Sequence, residues 1–339
     1  MNDIKLMAID LAKNVFQICA LDKHNKVIFN KKLRRSKLAE FMSKQKPSPI
    51  YMEACYSSNY WARRFAQMEH KPYLIPAQHV TPFVRGNKND HNDALAIAEC
   101  SRRPNLRFVP IKSEQQQEII ALHRIRRRLV KNRTQIINQV RGLLADFGII
   151  FPLGYKAFNK TMSEVEANGK LSFDFYQNIM LLKKEYEFIS EHIMQLEESL
   201  KSYFESNPNC RLVHSIPGFG LITTTLLVAM IDKGQAFKCA SDIAVWVGIT
   251  PKQYASGDKS RMTGITKRGD RYLRTLLVQG AHTAINWANK RDDRHSLWIK
   301  QLVLRIGRKK AAVAIAHKMI KLAWVLLQKQ KVFMVRTYH

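Results

Sequence analysis

The spacing of apolar residues changes near residue 112, and this change limits the possible folds more than any other feature of the sequence. Up to that point, short apolar segments alternate with polar turns, which is typical of β-strands. Beyond it, apolar residues recur three and four positions apart over long stretches, which is the spacing of helices. We therefore predict an α/β domain followed by helical parts, divided into residues 1–112, 113–207 and 208–339.

The first part is predicted to be a mixed sheet covered by helices. A meander of three strands and a helix come first, and further strands then alternate with helices. The predicted strands are Ile4–Ile9, Val15–Leu21, Lys26–Leu33, Pro49–Cys55 and Lys71–Pro76, and the predicted helices are Ser36–Gln45, Ser57–Glu69 and Asp90–Arg102.

Four acidic residues of this part stand where they can meet. Asp10 and Glu53 lie at the ends of predicted strands, and Asp90 and Asp93 lie three positions apart on one helix face. Converging carboxylates without neighbouring cations bind hard divalent metals such as Mg²⁺. Taken singly, each acid also has an ordinary interpretation as a turn residue, a helix cap or a partner of the helix dipole. Region 1–110 contains only nine acids, however, and four of them fall in this pattern.

The second part carries two signals on long helices. A helix from Ser113 to about Phe147 has seven basic residues and no acidic one between Arg124 and Arg141, which favours a contact with phosphates over a merely solvated face. The candidate contacts are Arg124, Arg126, Arg127, Arg128, Lys131 and Arg133. Further on, apolar residues from Ile179 to Tyr203 keep a heptad-like spacing. This spacing predicts either a coiled-coil arm for self-association or a helix packed within its own domain.

The third part is organised around Ser256, which stands in a Ser-Gly turn within the glycine-rich segment Gly248–Arg274. We predict a loop here, from which Thr266 opens a helix. A hydroxyl among cations suits attack on, or binding of, a phosphodiester. The alternative is a basic loop that only holds nucleic acid, with Ser256 as an ordinary turn residue. The candidate phosphate contacts are Lys252, Lys259, Arg261, Lys267, Arg268, Arg271 and Arg274.

A Pro-Gly-Phe-Gly turn before an apolar helix gives a further candidate interface. It resembles the hairpin of helix-hairpin-helix elements, in which N–H groups at a helix start bind phosphates without reading base sequence. Gly218 and Gly220 are therefore candidate contacts. Residues Ser206–Pro208 are predicted to be a linker. The tryptophans of the third part are predicted to be mostly core residues rather than platforms for bases: Trp246, Trp287, Trp298 and Trp324.

Net charge and cysteine spacing narrow the class of protein. The chain has 56 Lys+Arg against 27 Asp+Glu, and the resulting charge of +29 predicts a polyanionic partner such as nucleic acid. Five scattered cysteines without a CxxC pair argue against disulfides and zinc and fit a reducing compartment. We expect neither a signal peptide nor a membrane span, because Leu221–Ile231 is too short and Ala311–Leu327 is interrupted by His317, Lys318 and Lys321.

These segments together resemble a known family. MAIDLAKN, YMEACYSS and KNDHNDALAIAE, which carry the four acids, resemble the DEDD motif of an N-terminal RuvC-like, RNase H-like domain. Three later segments resemble the C-terminal transposase domain of the insertion-sequence 110 family: SIPGFGLITTTLL, VGITPKQYASG and GITKRGDRYLRTLLVQGA. Within the third, the residues KRGDRYLRTLL are most similar to the 1111 subgroup of that family. Piv-type DNA invertases are more distant relatives in this comparison.

The resemblance implies a DNA transposase, or recombinase, with a composite active site. Asp10, Glu53, Asp90 and Asp93 would hold Mg²⁺ or Mn²⁺, and Ser256 would form a covalent phosphoserine link to DNA. A structured non-coding bridge RNA would guide the protein to double-stranded element ends and targets. Dimers would assemble into tetramers through a coiled coil, in the bacterial cytoplasm and at the nucleoid. One departure is Ala255, where many relatives carry a second serine.

Two alternatives stay open at this point. The protein could be a metal-dependent junction endonuclease that uses water as the nucleophile, with Ser256 only a phosphate contact. It could also be a non-catalytic nucleic-acid binder, which the net charge of +29 alone would explain.

Overall fold

A computed structural model describes residues 4–86, 89–150, 152, 154–168, 171–257 and 259–334. The chain forms two compact units, Met1–Glu114 and Gln115–His339. The further division predicted at residue 207 lies inside the second unit and stays a prediction.

The first unit is built on a mixed five-stranded sheet, which confirms the predicted α/β class. Its spatial order is β3-β2-β1-β4-β5, with β1, β2 and β3 antiparallel and β4 and β5 parallel to β1. This order is consistent with a RuvC-like domain. The strands are β1 Ile4–Leu11, β2 Val15–Asp22, β3 Val27–Arg34, β4 Pro49–Glu53 and β5 Lys71–Ile75.

Both faces of the sheet are covered, because successive side chains of a strand point to opposite sides. The helices of this unit are α1 Arg35–Ser43, α2 Ser58–Gln67, α3 Ala77–Val80 and α4 Asp90–Ser101. Met7 and Ile9 of β1 pack with Trp61 and Phe65 of α2 on one side. On the other side, the alternate residues of β1, including Ala8, pack with α4.

The second unit begins with three helices that pack on one another: α5 Glu114–Ala145, α6 Tyr155–Asn168 and α7 Phe173–Ser206. The heptad-like stripe of α7 is buried inside this group, where Ile179 and Ile189 join Ile136 of α5 and Phe158 of α6 in one core. Packing within its own domain, the second of the two alternatives, therefore accounts for the stripe. Self-association stays a prediction and would have to use other surfaces.

The rest of the second unit is a helical domain with one hairpin. Its elements are α8 Pro208–His214, α9 Leu221–Ile231, α10 Ala240–Val247, β6 Pro251–Ser256, β7 Lys259–Ile265, α11 Arg271–Ala288, α12 Arg294–Ile306 and α13 Arg308–Lys329. Apolar residues of α8 to α13 share one core with the start of α5 and the end of α7.

Three predictions for this region were wrong. Residues Ser206–Pro208 are not a linker, because α7 runs directly into α8 and the Asn207 side chain caps α8 by accepting from the Asn209 N–H. The segment around Ser256 is a β-hairpin rather than a loop. The following helix starts at Arg271 rather than Thr266, because Asp270 caps it by accepting from the Leu273 N–H at 2.7 Å.

Helix α13 is the one helix among the described residues that is long and apolar enough to cross a membrane by length and composition. Half of its most apolar window is buried inside the protein. Ala312, Ile315 and Met319 lie in the core with residues of α9 and α11. These contacts are those of the central helix of a folded domain.

Candidate active site and nucleic-acid-binding surfaces

The four acids of the first unit lie on one side of the sheet. The parallel register pairs Ile9 of β1 with Met52 of β4, so Asp10 and Glu53 are the next residues on neighbouring strands. Alternation places both on the face that packs against α4, since Ala8 and Tyr51 belong to that core.

Helix α4 brings the other two acids to the same place. It begins after Asn89, whose side chain accepts from the Asn92 N–H at 2.8 Å, so that Asp90 and Asp93 both lie in its first turn. Asn89, rather than Asp90, therefore caps α4. Two carboxylates at a helix N-terminus also interact favourably with the helix dipole.

The charges of the other three acids act on Asp10. Burial raises the pKa of Asp10 to about 6, and the negative charges of Asp93, Asp90 and Glu53 add to the rise in that order. A carboxylate whose ionisation is opposed by three others is stabilised by any cation placed among them. The cluster therefore favours a positive ion.

The donor set fits Mg²⁺ or Mn²⁺, which prefer carboxylate oxygens. Among the described residues, no group of three His, Cys, Asp or Glu side chains stands ready to hold an ion by itself. The metal site expected from the sequence therefore stays a prediction. Asp10, Glu53, Asp90 and Asp93 would supply the protein ligands.

Three polar residues that sequence reasoning missed surround the cluster. Gln17 lies directly opposite Asp10 in the sheet and donates to the Asn30 side chain, and Asn30 donates to the backbone carbonyl of His91 in α4 at 3.1 Å. Lys32 forms an ion pair with Asp90 at 3.3 Å, so the expectation of no neighbouring cation was wrong. The sequence signal for this polar network was Gln17, a glutamine among the apolar residues of strand β2.

Ser256 lies at the tip of an exposed two-stranded hairpin. Strands β6 and β7 pair antiparallel with Ser256 opposite Lys259, and every residue of β6 is exposed. An isolated hairpin of this kind gains little stability by itself, so its residues are available to a partner.

The register of the hairpin gathers Ser256 and cations on one face. Residues that lie opposite each other share a face, and Tyr254 lies opposite Arg261 two positions from Ser256. The register shifts between Pro251 and Gln253, and the Lys252 side chain between them is exposed. Ser256, Tyr254 and Arg261 line one open depression, whose described lining contains no carboxylate or histidine. Ser256 therefore shares its face with Arg261, and no general base lies beside it among the residues that the structure describes.

The base of the hairpin is held rigidly to the domain. A Cβ on Gly269 would come within 2.1 Å of the Trp246 carbonyl oxygen, so only glycine allows this approach. Arg274 donates to the carbonyls of Val247 at 2.9 Å and Gly269 at 3.2 Å. We expected Arg274 to contact phosphates, but these bonds give it a structural role.

The other cations predicted near the hairpin are exposed. They are Lys252, Arg261, Lys267, Arg268 and Arg271. Lys259 is described by its backbone alone, opposite Ser256. The exposed set is free to meet phosphates.

The basic run of α5 divides into exposed and internal members. Arg124, Arg127, Arg128 and Lys131 are exposed. Arg126 instead pairs with Glu197 of α7 at 2.6 Å, and Arg133 stacks over the Tyr155 ring of α6 at 4.2 Å. These two join the helices to one another rather than facing a partner. Ile125 of the same helix is also exposed.

The basic run of α5 and the hairpin region meet within the second unit. The Arg127 guanidinium lies over the Tyr272 ring of α11 at 5.1 Å. Beneath it, His123 is buried and its Nε2 lies 3.0 Å from the Thr225 hydroxyl of α9. The contact between Arg127 and Tyr272 brings one arginine of the α5 run to α11.

The Pro-Gly-Phe-Gly turn connects α8 to α9 and lies against α11. A Cβ on Gly218 would come within 2.5 Å of the Gly280 carbonyl oxygen, so the two backbones touch. Gly220 provides no side-chain cap for α9, which leaves the first turn of that helix open to a ligand.

Carboxylates beside a mixed sheet, and exposed cations on long helices, are both typical of metal-dependent enzymes that process nucleic acids. Comparison with known proteins agrees. A family model described as "Transposase", of the DEDD type of IS110, matches residues 7–149, and the model "Transposase IS116/IS110/IS902 family" matches residues 210–296.

Whole-length relatives extend this match. The transposase for insertion sequence element IS1111A of Coxiella burnetii is 38% identical over 98% of this chain and 92% of its own length. The transposase for IS1328 of Yersinia enterocolitica is 34% identical over 98% of this chain and 99% of its own length. The pilin gene-inverting protein of Moraxella bovis is 21% identical over 91% of this chain and 94% of its own length.

The chain belongs to the IS110 family of transposases. It is therefore an enzyme that cleaves and recombines DNA, and DNA is its partner. Transposases of the DEDD type generally depend on a divalent metal ion. The resemblance stated from the sequence is confirmed at this level.

Proposed function

We propose that this transposase cuts and rejoins DNA through a covalent bond between Ser256 and a DNA phosphate. The observation that carries the proposal is the register of the hairpin, which puts the Ser256 hydroxyl at an exposed tip on a cationic face. A nucleophile that must reach a phosphodiester in a duplex has to project from the protein surface. Arg261 on the same face, together with the exposed Lys252, would neutralise the phosphate oxygens.

The reaction needs no external energy. The Ser256 Oγ forms a bond to phosphorus while the bond from phosphorus to one sugar oxygen breaks. The hydroxyl loses one proton, and the departing sugar oxygen gains one. Rejoining is the reverse reaction with a different sugar hydroxyl, so the number of phosphodiester bonds is conserved.

In this proposal the carboxylates would provide the activation of the serine for which the described hairpin residues offer no base. A serine hydroxyl is a weak nucleophile until it is activated, and the described lining of the depression beside Ser256 contains no base. A Mg²⁺ ion bound by Asp10, Glu53, Asp90 and Asp93 would polarise a phosphate oxygen and lower the pKa of a bound hydroxyl. Gln17 and Asn30 hold β2, β3 and α4 together and so orient these ligands.

We also propose that a structured non-coding RNA guides the enzyme to its DNA sites. The exposed cations of α5, α11 and the hairpin are suited to phosphate backbones, which carry no base sequence. Sequence choice would then be delegated to base pairing, as in other guided systems. The protein would act in the bacterial cytoplasm on double-stranded element ends and targets.

Self-association into dimers and tetramers is the last element of the proposal. With the heptad-like stripe buried, the exposed apolar residues of α7 support it: Leu181, Phe188 and Met194 are each about 60% exposed. Light scattering after size exclusion should give a mass above 39.3 kDa for the wild type and a lower oligomeric state for Leu181→Ser/Phe188→Ser.

A gel assay for a protein–DNA adduct tests the serine chemistry. Purified protein with its copurified RNA, Mg²⁺ and labelled junction DNA would be resolved under denaturing conditions. We expect a protease-sensitive band for the wild type and none for Ser256→Ala. Ser260→Ala is the matched control, because Ser260 lies opposite Ala255 on the other face of the same hairpin, and it should retain the band.

The alternatives give different results in the same assay. Cleavage without an adduct in both the wild type and Ser256→Ala would assign the reaction to a metal-activated water. DNA binding without any reaction, unchanged in Asp10→Ala, would leave only a binding protein. Digestion of the RNA before the assay should abolish the adduct, and an unaffected yield would contradict guidance by RNA.

A further inference from the structure

A cleft of about 480 Å³ lies between the Pro217–Gly220 turn and α11. This volume is within the range of sites for small ligands. Its walls include Thr223, Gln279, Thr283, Trp287 and Arg291, and its floor is the contact between Gly218 and Gly280. All of these residues belong to the second unit.

Trp287 is the unusual member of this cleft. Its side chain is 56% exposed, although tryptophan is highly buried on average in folded proteins. The expectation that it is a core residue was therefore wrong. Lys290 and Arg291 lie over its ring at 5.7 and 5.8 Å from the centroid. An exposed indole flanked by two cations is a platform for a flat, uncharged ring joined to an anion.

The opposite wall offers groups that bind a phosphate. Gly220 leaves the first turn of α9 without a side-chain cap, so backbone N–H groups point out of the helix start. Thr223 in that turn is 6% exposed and lines the cleft, and its hydroxyl makes no hydrogen bond with any residue that the structure describes. A hydroxyl without a partner at the wall of a cleft is suited to a ligand.

The charge of the cleft lining favours an anionic ligand. The described lining of the cleft carries Arg291 and no carboxylate. A paired base cannot lie on Trp287, since both of its faces are stacked within the duplex. A base that is unpaired can do so, with its phosphate directed to Gly220 and Thr223.

We propose that this cleft binds one unpaired nucleotide of the nucleic acid that the transposase processes, with the base on Trp287 and the phosphate at the start of α9. The inference rests on nucleic-acid binding in the proposed function and is independent of the chemistry of Ser256. It assigns the Pro-Gly-Phe-Gly turn to single-stranded rather than duplex nucleic acid.

Binding measured without catalysis tests the inference. The full-length protein, freed of RNA by nuclease and high salt, would be titrated in EDTA with a dT oligonucleotide, a U oligonucleotide and a DNA duplex of equal length. Because stacking of one base on an aromatic ring contributes about tenfold or more to affinity, Trp287→Ala should weaken single-strand binding about tenfold. Duplex affinity should be unchanged, and Trp287→Phe should recover most of the loss.

Controls separate this site from the general cationic surface. Trp246→Ala removes another exposed tryptophan, which packs on Phe237 outside the cleft, and should leave single-strand affinity unchanged. Thr223→Val keeps the shape of the side chain and should weaken single-strand binding. At saturating oligonucleotide, a base stacked on Trp287 should still quench the tryptophan fluorescence of this variant. Comparison of dT with U shows whether the nucleotide comes from DNA or RNA.

Two results would overturn the inference. Equal losses for single strands and duplex in Trp287→Ala would mean that the residue serves only the shape of the surface. Unchanged single-strand affinity would exclude stacking on Trp287. Neither result would affect adduct formation at Ser256, so failure here is distinguishable from failure of the proposed function.

Discussion

Replacing Asp10 by asparagine should stabilise the metal-free protein while removing its response to metal. The pKa of Asp10 is raised from 3.8 to about 6, chiefly by burial and then by Asp93, Asp90 and Glu53. A raised carboxyl pKa means that ionisation opposes folding, so this cost grows as the pH rises from 3.8 to about 6 and is complete at pH 7. One pKa unit corresponds to about 1.4 kcal/mol, so the full shift corresponds to about 3 kcal/mol.

Partial exposure and salt reduce this value, and we expect Asp10→Asn to gain about 1–3 kcal/mol at pH 7. The amide oxygen of asparagine can still accept from the Leu11 N–H. Scanning calorimetry in EDTA should show a rise of several degrees for the transition of the first unit. At pH 4, where the carboxyl is protonated in the wild type, the difference should disappear.

Addition of Mg²⁺ should reverse the order of the transition temperatures and place the wild type above Asp10→Asn. The ion binds the folded wild type and raises its transition temperature, whereas the variant lacks a ligand and gains little. Asp22→Asn is the matched control in the same unit. The Asp22 carboxylate accepts from the His24 and Lys26 N–H groups at 2.8 Å, which lower its pKa, so that substitution should not stabilise. A less stable Asp10→Asn protein in EDTA would refute the argument from repulsion among the carboxylates.

Three further predictions concern the second unit. Burial, and then the charge of Arg126, lower the pKa of His123 from 6.5 to about 4. The protein should therefore have its full stability above pH 6.5 and lose about 3 kcal/mol of it as the pH falls toward 4, because the unfolded chain takes up the proton first. Denaturation of His123→Gln should lack this pH dependence. Gly269→Ala should destabilise the domain by about 2 kcal/mol or more in thermal unfolding, whereas Gly264→Ala, with open space around it, should not. Arg274→Lys should slow adduct formation with little loss of DNA affinity, whereas Arg268→Ala should weaken DNA binding and reduce its salt dependence by about one ion.

The sequence was most informative where residues are buried. The strands of the first unit alternate or run apolar because both faces of the sheet are covered, so their positions were predicted within a few residues. The four acids could be placed on one side of the sheet, since strand ends and a helix start fix their positions; their role as metal ligands stays a prediction. Lys32, Gln17 and Asn30 were missed because their importance depends on which strands are neighbours.

The hairpin could not be predicted from the apolar pattern. Every residue of β6 is exposed, so no face of the hairpin needs apolar residues, and its glycines favour a loop. Its register nevertheless decides which cations share a face with Ser256. The heptad-like stripe of α7 was clear in the sequence, but spacing alone does not tell whether the partner is a second chain or α5 and α6 of the same one.

Trp287 shows the same limit at a single position. Its helical spacing fits a core residue, and neighbouring Ala284 and Ala288 are indeed buried. The cleft exists because Gly218 and Gly280 bring the turn against α11, a contact between residues far apart in the sequence.

Mass spectrometry of the trapped adduct tests the central claim most directly. After the reaction, the DNA would be digested to a short remnant and the protein cleaved with trypsin. Cleavage after Lys252 and Lys259 releases the peptide QYASGDK, whose two hydroxyl side chains are Tyr254 and Ser256 on the same face of the hairpin. Our account predicts a nucleotide on this peptide, with fragment ions that place the phosphate on Ser256. A phosphate on Tyr254, or cleaved DNA with an unmodified peptide, would contradict it.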